Sequence, residues 1–472
     1  MSCSLPHTLA RLPARPRALL AALAAAALLC LCLTLRAHVT DPFYAVPPPP
    51  APPPFVLAAN RTRPAPRGAY ARARAPLAPV AHLARPQCAL TPAHAARYAA
   101  LRTAPPVFLA LNVLDAQRAL AALLHELPGV LAFLGPHAFV SVLESGSRDA
   151  TPGLLGVLAR LLDAHGVAHR IEVRGGARLD KRGGRRIAAL ARVRNEVMQP
   201  LYDGSAAAAA GVESFGRVLF MNDIIFCAAD MLEILYEHEN QGADMTCALD
   251  WGNHIVYDRW VLRTMTGSPS YAQSELLTFF AASRSHPTAP TDPRTPIPQP
   301  LPWNPAERAR LRRLQPFQVF SCWNGAAVIR ADAFTTTNHS GGGGGDGGDE
   351  SPVRFRTARN DVTPVNERQS ECFLLPVDLW RRGMGRIQVV PRASVAYTGA
   401  EYEEVRQDGG RAASYSHPAG LADVPLVGEG GGEGGKIEWE ARPPAQVLYH
   451  DYARWDHPQV RSFFWLWFGC GG

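Results

Sequence analysis

The sequence lacks the cysteine and histidine arrangements that bind zinc. Nine cysteines occur in 472 residues, and none lies in a Cys-x-x-Cys or Cys/His pattern, which argues against a structural zinc site. The glycine-rich stretches at 340–349 and 428–435 also lack the strand–turn–helix setting of a phosphate-binding loop. These absences exclude zinc-finger and phosphate-loop folds. Which cysteines pair in disulfides stays open.

Most of the chain also lacks net charge. The formal charge of the whole sequence is +7, but residues 1–87 hold ten arginines and one acid, Asp41, so the remaining residues are close to neutral. A nucleic-acid-binding face needs clustered positive charge on the folded domain. No nucleic-acid partner is therefore expected.

The positive charge surrounds an apolar segment near the N-terminus. Arginines 11, 15 and 17 precede an uninterrupted apolar run at residues 18–35, which is long enough, at about 27 Å, to cross the hydrocarbon core of a bilayer. Residues 1–17 are then a cytosolic tail and the rest of the chain is lumenal. A cleaved signal peptide is the alternative interpretation of the same run.

The composition after the apolar run divides the remaining chain into a spacer and a large domain. Residues 36–87 are rich in proline and predict an extended stem, and residues 88–472 form the main domain, with disordered insertions near 286–305, 340–352 and 428–436. Glycosylation sequons begin at Asn60 and Asn338. This layout predicts a single-pass type II protein of the Golgi or ER membrane with a lumenal domain.

Alternating strand and helix patterns between about 105 and 335 predict an α/β domain with a mostly parallel sheet. A run without polar alternation, residues 217–221, predicts a central strand that is buried on both faces. The sequence also predicts strands at 107–111, 139–143, 168–173 and 245–249, and helices at 116–134, 154–165, 187–201 and 229–239.

Acidic residues follow three of the predicted strands. Glu144, Asp223 and Asp250 come where the chain leaves the strands, and open α/β sheets bind ligands at that edge. A carboxylate there can hold Mg²⁺ or Mn²⁺ against a diphosphate. Asn222 and Asp223 equally suit a turn or a helix cap, and a solvated loop acid is the ordinary interpretation of Glu144.

A run of cations at 181–194 precedes the central strand. Arginine side chains suit bidentate phosphate contacts, but such a run is just as consistent with a solvated helix face. The residues alone do not decide between these interpretations.

Seven sequence blocks in a fixed order resemble the fungal capsule-associated α-1,3-mannosyltransferases, glycosyltransferase family 69 of the cryptococcal type. The blocks are VLESGSRDAT (142–151), RIAALA with RN (186–195), VLFMNDIIFC (218–227), ADMTCALDW (243–251), YDRW (257–260), CWNG (322–325) and SECF (370–373). The resemblance implies a glycosyltransferase A-type fold, a Rossmann-like mixed and mostly parallel sheet. It also implies a GDP-mannose donor, Mn²⁺ or Mg²⁺, a glycan acceptor, and transfer of an α-linked mannose with retention during capsule or cell-wall polysaccharide synthesis.

The resemblance also implies roles for individual residues. Asp223 is expected to bind the metal with support from Asn222, Glu371 to be a catalytic nucleophile or base, and Asp250 to orient sugar hydroxyls. If Glu371 is not the nucleophile, the departing phosphate takes the acceptor proton. The expected donor-binding residues are Glu144, Arg186, Arg194 and Asn195. The expected acceptor-binding residues are Trp251, Trp323 and Asn324, for which packing in the core is the alternative interpretation.

Two alternatives to this function stay open. The chain could be an inactive scaffold or partner among other polysaccharide-synthesis proteins, which needs no donor site. It could also be a glycosyltransferase that uses another sugar nucleotide, such as a UDP-sugar. Retention of Asp223, Arg194 and Glu371 together favours an enzyme over a scaffold.

Overall fold

The computed structural model describes residues 55–58, 88–174, 185–252, 255–285, 298, 300–301, 303–335, 352–357, 370–406, 436–450 and 458–462. The predicted anchor, both sequons and the glycine-rich insertions lie outside these residues. Within them, no helix combines the length and the apolar character that crossing a membrane requires.

The domain consists of a large sheet, a small hairpin and helices on both faces of the sheet. The strands are β1 (Phe55–Ala58), β2 (Val107–Val113), β3 (Phe139–Glu144), β4 (Ala168–Val173), β5 (Arg217–Met221), β6 (Met245–Gly252), β7 (Ile255–Val256), β8 (Arg263–Thr264), β9 (Phe317–Ser321), β10 (Ala326–Arg330), β11 (Ile387–Ala396), β12 (Gln446–His450) and β13 (Pro458–Ser462). The α-helices are α1 (Pro92–Arg97), α2 (Gln117–Leu134), α3 (Thr151–His165), α4 (Arg185–Tyr202), α5 (Ser205–Ala210), α6 (Ala228–Gln241), α7 (Gln273–Ser285), α8 (Pro305–Arg312), α9 (Glu371–Arg381) and α10 (Gly399–Arg406).

The sheet has the strand order β1-β4-β3-β2-β5-β10-β6-β11-β9-β8, with β7 paired to β6. Among the described strands, the parallel pairs are β2–β3, β3–β4, β2–β5 and β6–β11, and the other neighbours pair antiparallel. The predicted α/β class with parallel strands is confirmed. The sheet is mixed: β2, β3, β4, β5, β6 and β11 run in one direction, and β10 runs antiparallel between β5 and β6.

Strand β5 lies in the interior of the sheet, as its apolar run predicted. All five of its residues are buried. Val218 and Phe220 pack into one hydrophobic core with α4, whereas Leu219 and Met221 pack into a second core with α2 and α6. This division follows from the alternation of side chains along a strand. The sheet therefore separates two hydrophobic cores, and Asn222 and Asp223 follow β5 at its carboxyl end.

Three elements differ from the sequence-based expectation. Phe55–Ala58, inside the predicted stem, form β1 and pair with β4. Strand β6 continues to Gly252, so Asp250 lies within the strand instead of following it. Leu301 and Asn304, in the stretch expected to be a disordered insertion near 286–305, are both buried, and the described end of that stretch packs onto the domain.

Candidate active site

A cleft of about 510 Å³ opens beyond the carboxyl ends of β2 and β5. The chain runs from β2 to β3 on one side, while β5 lies on the other side of β2. Such a reversal of strand order is the place where α/β sheets leave a crevice for nucleotides. Asn112 at the end of β2 and Asp223 after β5 both line the cleft.

Asn222, the first residue after β5, has its side chain committed to protein contacts. Its amide oxygen accepts hydrogen bonds from Trp323 Nε1 at 3.1 Å and from Arg194 Nη2 at 3.4 Å. Its amide nitrogen donates to the Tyr397 hydroxyl at 3.2 Å. An oxygen that faces a guanidinium is poorly placed to bind a cation. Of the predicted pair, Asp223, half-buried at the cleft wall, carries the carboxylate that suits a metal.

Arg194 carries a buried positive charge in the cleft. Its guanidinium lies 4.4 Å from the centre of the Trp323 ring and pairs with Glu371 at 3.1 Å. Burial opposes the charge, but the charge and hydrogen bond of Glu371 beside it raise the pKa of Arg194. Within the described part of the chain, its Nη1 atom is buried without a hydrogen-bond partner. A buried donor without a partner is costly, so this atom is suited to bind an anionic ligand.

Glu371 begins α9 and contacts Arg194 in the wall of the cleft. Ser370 caps this helix by accepting a hydrogen bond from the backbone amide of Cys372. A carboxylate at a helix N-terminus is favoured by the helix dipole. Burial also raises the pKa of the Cys372 thiol, which therefore stays protonated. Arg194 and Glu371 thus form an ion pair without net charge in the wall of the cleft.

Two neighbouring carboxyl groups, one buried and one lining the cleft, lie close to Tyr397. Asp250 is fully buried and accepts hydrogen bonds from Asn324 Nδ2 at 3.0 Å and from the Asp258 amide at 3.1 Å. The Tyr397 hydroxyl donates to its second oxygen at 3.3 Å. Burial, and then the neighbouring Asp258, raise the pKa of Asp250. Burial also raises the pKa of Asp258, and only Asp258 of the two lines the cleft.

A tight turn at Asn324 and Gly325 connects Asp250 and Asp258 to Trp323 in the wall of the cleft. Asn324 and Gly325 have φ values of 49° and 79°. The backbone amide of Asn324 donates a hydrogen bond to Asp258 Oδ2 at 3.2 Å. A Cβ on Gly325 would lie 3.1 Å from both Ile224 and Val395. The turn therefore requires glycine for both its backbone conformation and its close packing.

Two disulfides brace the segments that carry these residues. Cys88 pairs with Cys227, and Cys247 in β6 pairs with Cys322. The first disulfide holds Cys227, which ends the loop that begins at Asp223. The second disulfide holds Cys322, the residue directly before Trp323. Cys372 is the free cysteine among the described residues.

Five predicted site residues lie outside the cleft lining: Asp250 and Asn324, which contact Asp258, and three others. Glu144 accepts hydrogen bonds from the backbone amides of Ser147 and Arg174, and so holds two loops. Asn195 forms two hydrogen bonds with the backbone of Phe355, at 2.7 and 3.0 Å.

The third is Trp251, which is buried and donates from Nε1 to Ser394 at 3.1 Å. In this structure these three side chains position backbone segments and pack the core. Asp250 and Asn324 act below the cleft surface through Asp258, while Arg186 is exposed at the cleft wall.

The cleft also contains residues that the sequence analysis did not identify as site residues. They include Asn112, Ser145, Tyr257, Asp258 and Tyr397. Tyr257 and Asp258 belong to one of the family blocks, which is a signal that could have identified them. Tyr397 directly follows β11, whose pairing with β6 is a long-range property.

Comparison with known proteins identifies the family. The family described as Cryptococcal mannosyltransferase 1 matches residues 106–378. The chain belongs to this family. It is also similar to alpha-1,3-mannosyltransferase CMT1 of Cryptococcus neoformans var. neoformans serotype D (strain JEC21 / ATCC MYA-565), with 32% identity over 377 residues, covering 77% of this chain and 72% of the relative. The predictions of the family and of a glycosyltransferase are confirmed.

Similarities to solved structures are much weaker. Staphylococcus aureus TarS, residues 1–349, is 13% identical with a TM-score of 0.29, and the match covers 62% of this chain and 60% of TarS. Glucosyl-3-phosphoglycerate synthase from Mycobacterium tuberculosis, in complex with Mn²⁺ and UDP-glucose, is 12% identical with a TM-score of 0.29, over 66% of this chain and 76% of that one.

Proposed function

We propose that this member of the Cryptococcal mannosyltransferase 1 family transfers mannose from GDP-mannose to a glycan acceptor in α-1,3 linkage, with retention and with a glycosyltransferase A-type fold. The relative from Cryptococcus, an alpha-1,3-mannosyltransferase by name, supports the sugar and the linkage. The observation that carries the proposal is the cleft at the carboxyl ends of β2 and β5, which is lined by Asp223 and by Arg194, whose Nη1 atom has no hydrogen-bond partner among the described residues.

The chemistry of the cleft suits a nucleoside diphosphate. Its β2 end provides Asn112 and Ser145 for the nucleoside, and Arg194 offers a charged donor to the diphosphate. Arginine binds phosphate oxygens strongly because its donors are charged and fixed in one plane. Arg186, exposed at the wall of the cleft, adds a second cation. The donor therefore lies across the end of β5.

Asp223 fits a divalent metal as a single carboxylate ligand. Mg²⁺ and Mn²⁺ commonly use one or two protein carboxylates and complete their coordination with phosphate oxygens and water. Asn222 is not part of this ligand set because its oxygen accepts from Trp323 and Arg194. When bound, the metal would neutralise charge on the departing diphosphate.

In the proposed reaction, the bond between the mannose anomeric carbon and the phosphate oxygen breaks. A bond forms between that carbon and the acceptor oxygen, on the same face of the sugar. The proton of the acceptor hydroxyl passes to the departing diphosphate. Glu371 is paired with Arg194, which favours a role in holding the guanidinium against the diphosphate over a role as nucleophile.

The proposed location is the Golgi or ER membrane, with the domain in the lumen. The apolar run at residues 18–35 and the arginines before it support a type II anchor. The two disulfides support an oxidising compartment, since such bonds are rare in the cytosol.

The test is sugar transfer by the full-length chain, purified in detergent, with GDP-mannose, GDP-glucose and UDP-glucose as donors. We expect transfer from GDP-mannose alone, inhibition by EDTA and recovery with Mn²⁺. Asp223→Ala should reduce the rate at least a hundredfold. Asp163→Ala, at an exposed position on α3, is the matched control and should retain the native rate. Transfer from UDP-glucose alone would contradict GDP-mannose as the donor. Full activity of Asp223→Ala would contradict the assignment of Asp223 to the metal.

A further inference from the structure

One aromatic ring at the cleft is exposed to solvent. Tyr257 lines the cleft, and 51% of its surface is accessible. The aromatic residues that the sequence suggested for acceptor binding, Trp251 and Trp323, are each 2% accessible. The Arg194 guanidinium also lies over the Trp323 ring. Tyr257 therefore provides the open aromatic face that those two residues lack.

The Tyr257 ring is held in place although it is exposed. It lies 4.6 Å from the Tyr397 ring, centre to centre. A Cβ on Gly252 would lie 2.9 Å from Tyr257 Cδ2, so the absence of a side chain there leaves space for the ring. The Tyr257 amide donates to the Asp250 carbonyl at 2.9 Å. An exposed ring with fixed orientation loses little conformational entropy when a ligand covers it.

A carboxyl group adjoins this ring in the same cleft. Asp258 lines the cleft and accepts a hydrogen bond from the Asn324 amide at 3.2 Å. The fully buried Asp250 fixes the Asp258 backbone from below. An aromatic face beside an oriented carboxyl group can bind the apolar face of a sugar ring and one of its hydroxyl groups at the same time.

Tyr257 and Asp258 reach the cleft from a different part of the sheet than the residues of the nucleotide crevice. Tyr257 and Asp258 follow β7, which pairs with β6, whereas the crevice lies between β2 and β5. Strand β10 lies between β5 and β6, so about three strand spacings, roughly 14 Å, separate β2 from β6. A donor whose nucleoside lies at β2 and whose diphosphate meets Arg194 directs its sugar toward this end of the cleft.

We propose that Tyr257 and Asp258 form the acceptor subsite, with the Tyr257 ring stacked on the C–H face of the acceptor sugar and Asp258 accepting a hydrogen bond from one of its hydroxyl groups. This inference rests on the proposed function, because it requires a sugar acceptor. It assigns the specificity for the acceptor to the segment after β7. The ring supplies most of the contact area, and the carboxyl group orients the sugar.

The test separates the KM of the acceptor from the KM of GDP-mannose, using the full-length chain. The acceptor is the most rapidly glycosylated member of a panel of methyl α-glycosides and mannose disaccharides. We expect Tyr257→Ala to raise the acceptor KM about tenfold, equivalent to about 1.4 kcal/mol, with less than a twofold change for GDP-mannose. Tyr257→Phe should keep the acceptor KM within about twofold of the native value, since the ring is retained. Asp258→Asn should raise the acceptor KM at least fivefold.

Trp303→Ala is the matched control, because Trp303 is 52% exposed and does not line the cleft. It should change neither KM. An unchanged acceptor KM in Tyr257→Ala would overturn the subsite and leave the proposed function intact. A raised KM for GDP-mannose in that variant would overturn it too, since the ring would then contact the donor. No transfer by the native chain to any member of the panel would count against the proposed function itself.

Discussion

Arg194 and Glu371 form a buried ion pair at 3.1 Å, although 177 residues separate them in the sequence. Both line the cleft. Helix α4 supplies the cation and the first residue of α9 supplies the anion. The pair leaves one nitrogen of the guanidinium, Nη1, without a hydrogen-bond partner among the described residues, which is the feature that most favours an anionic ligand in the cleft.

Loss of the negative charge from this pair should destabilise the protein. Glu371→Gln keeps the size of the side chain but leaves the Arg194 cation buried without a counter-charge. We expect the free energy of unfolding to fall by about 3 kcal/mol, measured by urea denaturation at pH 7. The double variant Arg194→Met, Glu371→Gln should lose less than the sum of the two single variants.

Additive losses in that cycle would contradict the ion pair. Kinetics then separate the two roles of Glu371. A positioning role predicts that Glu371→Gln retains measurable transfer with a raised KM for GDP-mannose. Complete loss of transfer in a folded Glu371→Gln protein would instead favour the nucleophile.

Asn222 should contribute mainly to stability. Asn222→Ala removes the acceptor of the Arg194 and Trp323 hydrogen bonds and the donor to Tyr397. Buried groups left without partners cost about 2 kcal/mol, so the urea midpoint should shift to lower concentration. Asn240→Ala, at an exposed position on α6, is the control and should cost less than about 1 kcal/mol. Equal losses in the two variants would disagree with this assignment.

Asp250 should make stability fall as the pH rises. Burial, and then the Asp258 charge, raise its pKa from 3.8 to about 7. The folded state therefore binds more protons than the unfolded state between these values, so this contribution is complete below about pH 4 and is lost as the pH rises through 7. Denaturation at pH 5 and pH 8 should show a smaller decrease for Asp250→Asn than for the native chain.

The buried His238 makes stability rise with pH, which is opposite to the effect of Asp250. For this reason the native chain is compared with the Asp250→Asn variant. Burial lowers the pKa of His238 to about 3, so its contribution to stability is lost as the pH falls below about 6.5. It is present in both proteins and cancels in the difference. An identical pH dependence of the native and Asp250→Asn chains would show that Asp250 is ionised throughout.

Reduction of the disulfides should destabilise the cleft. Cys247 and Cys322 close a loop with a sequence separation of 75 residues, and the loss of such a cross-link costs roughly 4 kcal/mol. We expect Cys247→Ser with Cys322→Ser to lower the unfolding free energy by that order and to reduce transfer, since Trp323 follows the bond directly. Peptide mapping without reduction should find both disulfides, and free thiols at positions 247 and 322 would contradict the pairing.

Much of the local structure could be predicted from the sequence. The expected strands at 168–173 and 217–221 match β4 and β5, and the expected helices at 116–134 and 187–201 differ from α2 and α4 by at most two residues at either end. Apolar periodicity carries this information because each element buries one or both faces. The antiparallel direction of β10 could not be read, since a strand buried on both faces shows the same apolar run in either direction.

Only part of the candidate site could be predicted from the sequence in the same way. Asp223 and Arg194 are placed at the cleft by the strand and the helix that carry them, and both elements were predicted. Glu144 was expected at the donor for the same reason, yet it accepts two backbone amides. Tyr257, exposed between predicted elements, had no periodic pattern that distinguished it from an ordinary loop residue.

The sequence by itself determined the α/β elements, the burial of β5, the position of Asp223 after it, and the family blocks. Only the tertiary structure decided the partners: Arg194 with Glu371, Asn222 with Trp323 and Tyr397, and each disulfide. The physical reason is that periodicity reflects burial within one element, whereas these contacts depend on strand order and on loops joining distant segments. The hydrogen bonds of Asn222 and Glu144, which fix their roles in the fold, are therefore properties of the assembled domain.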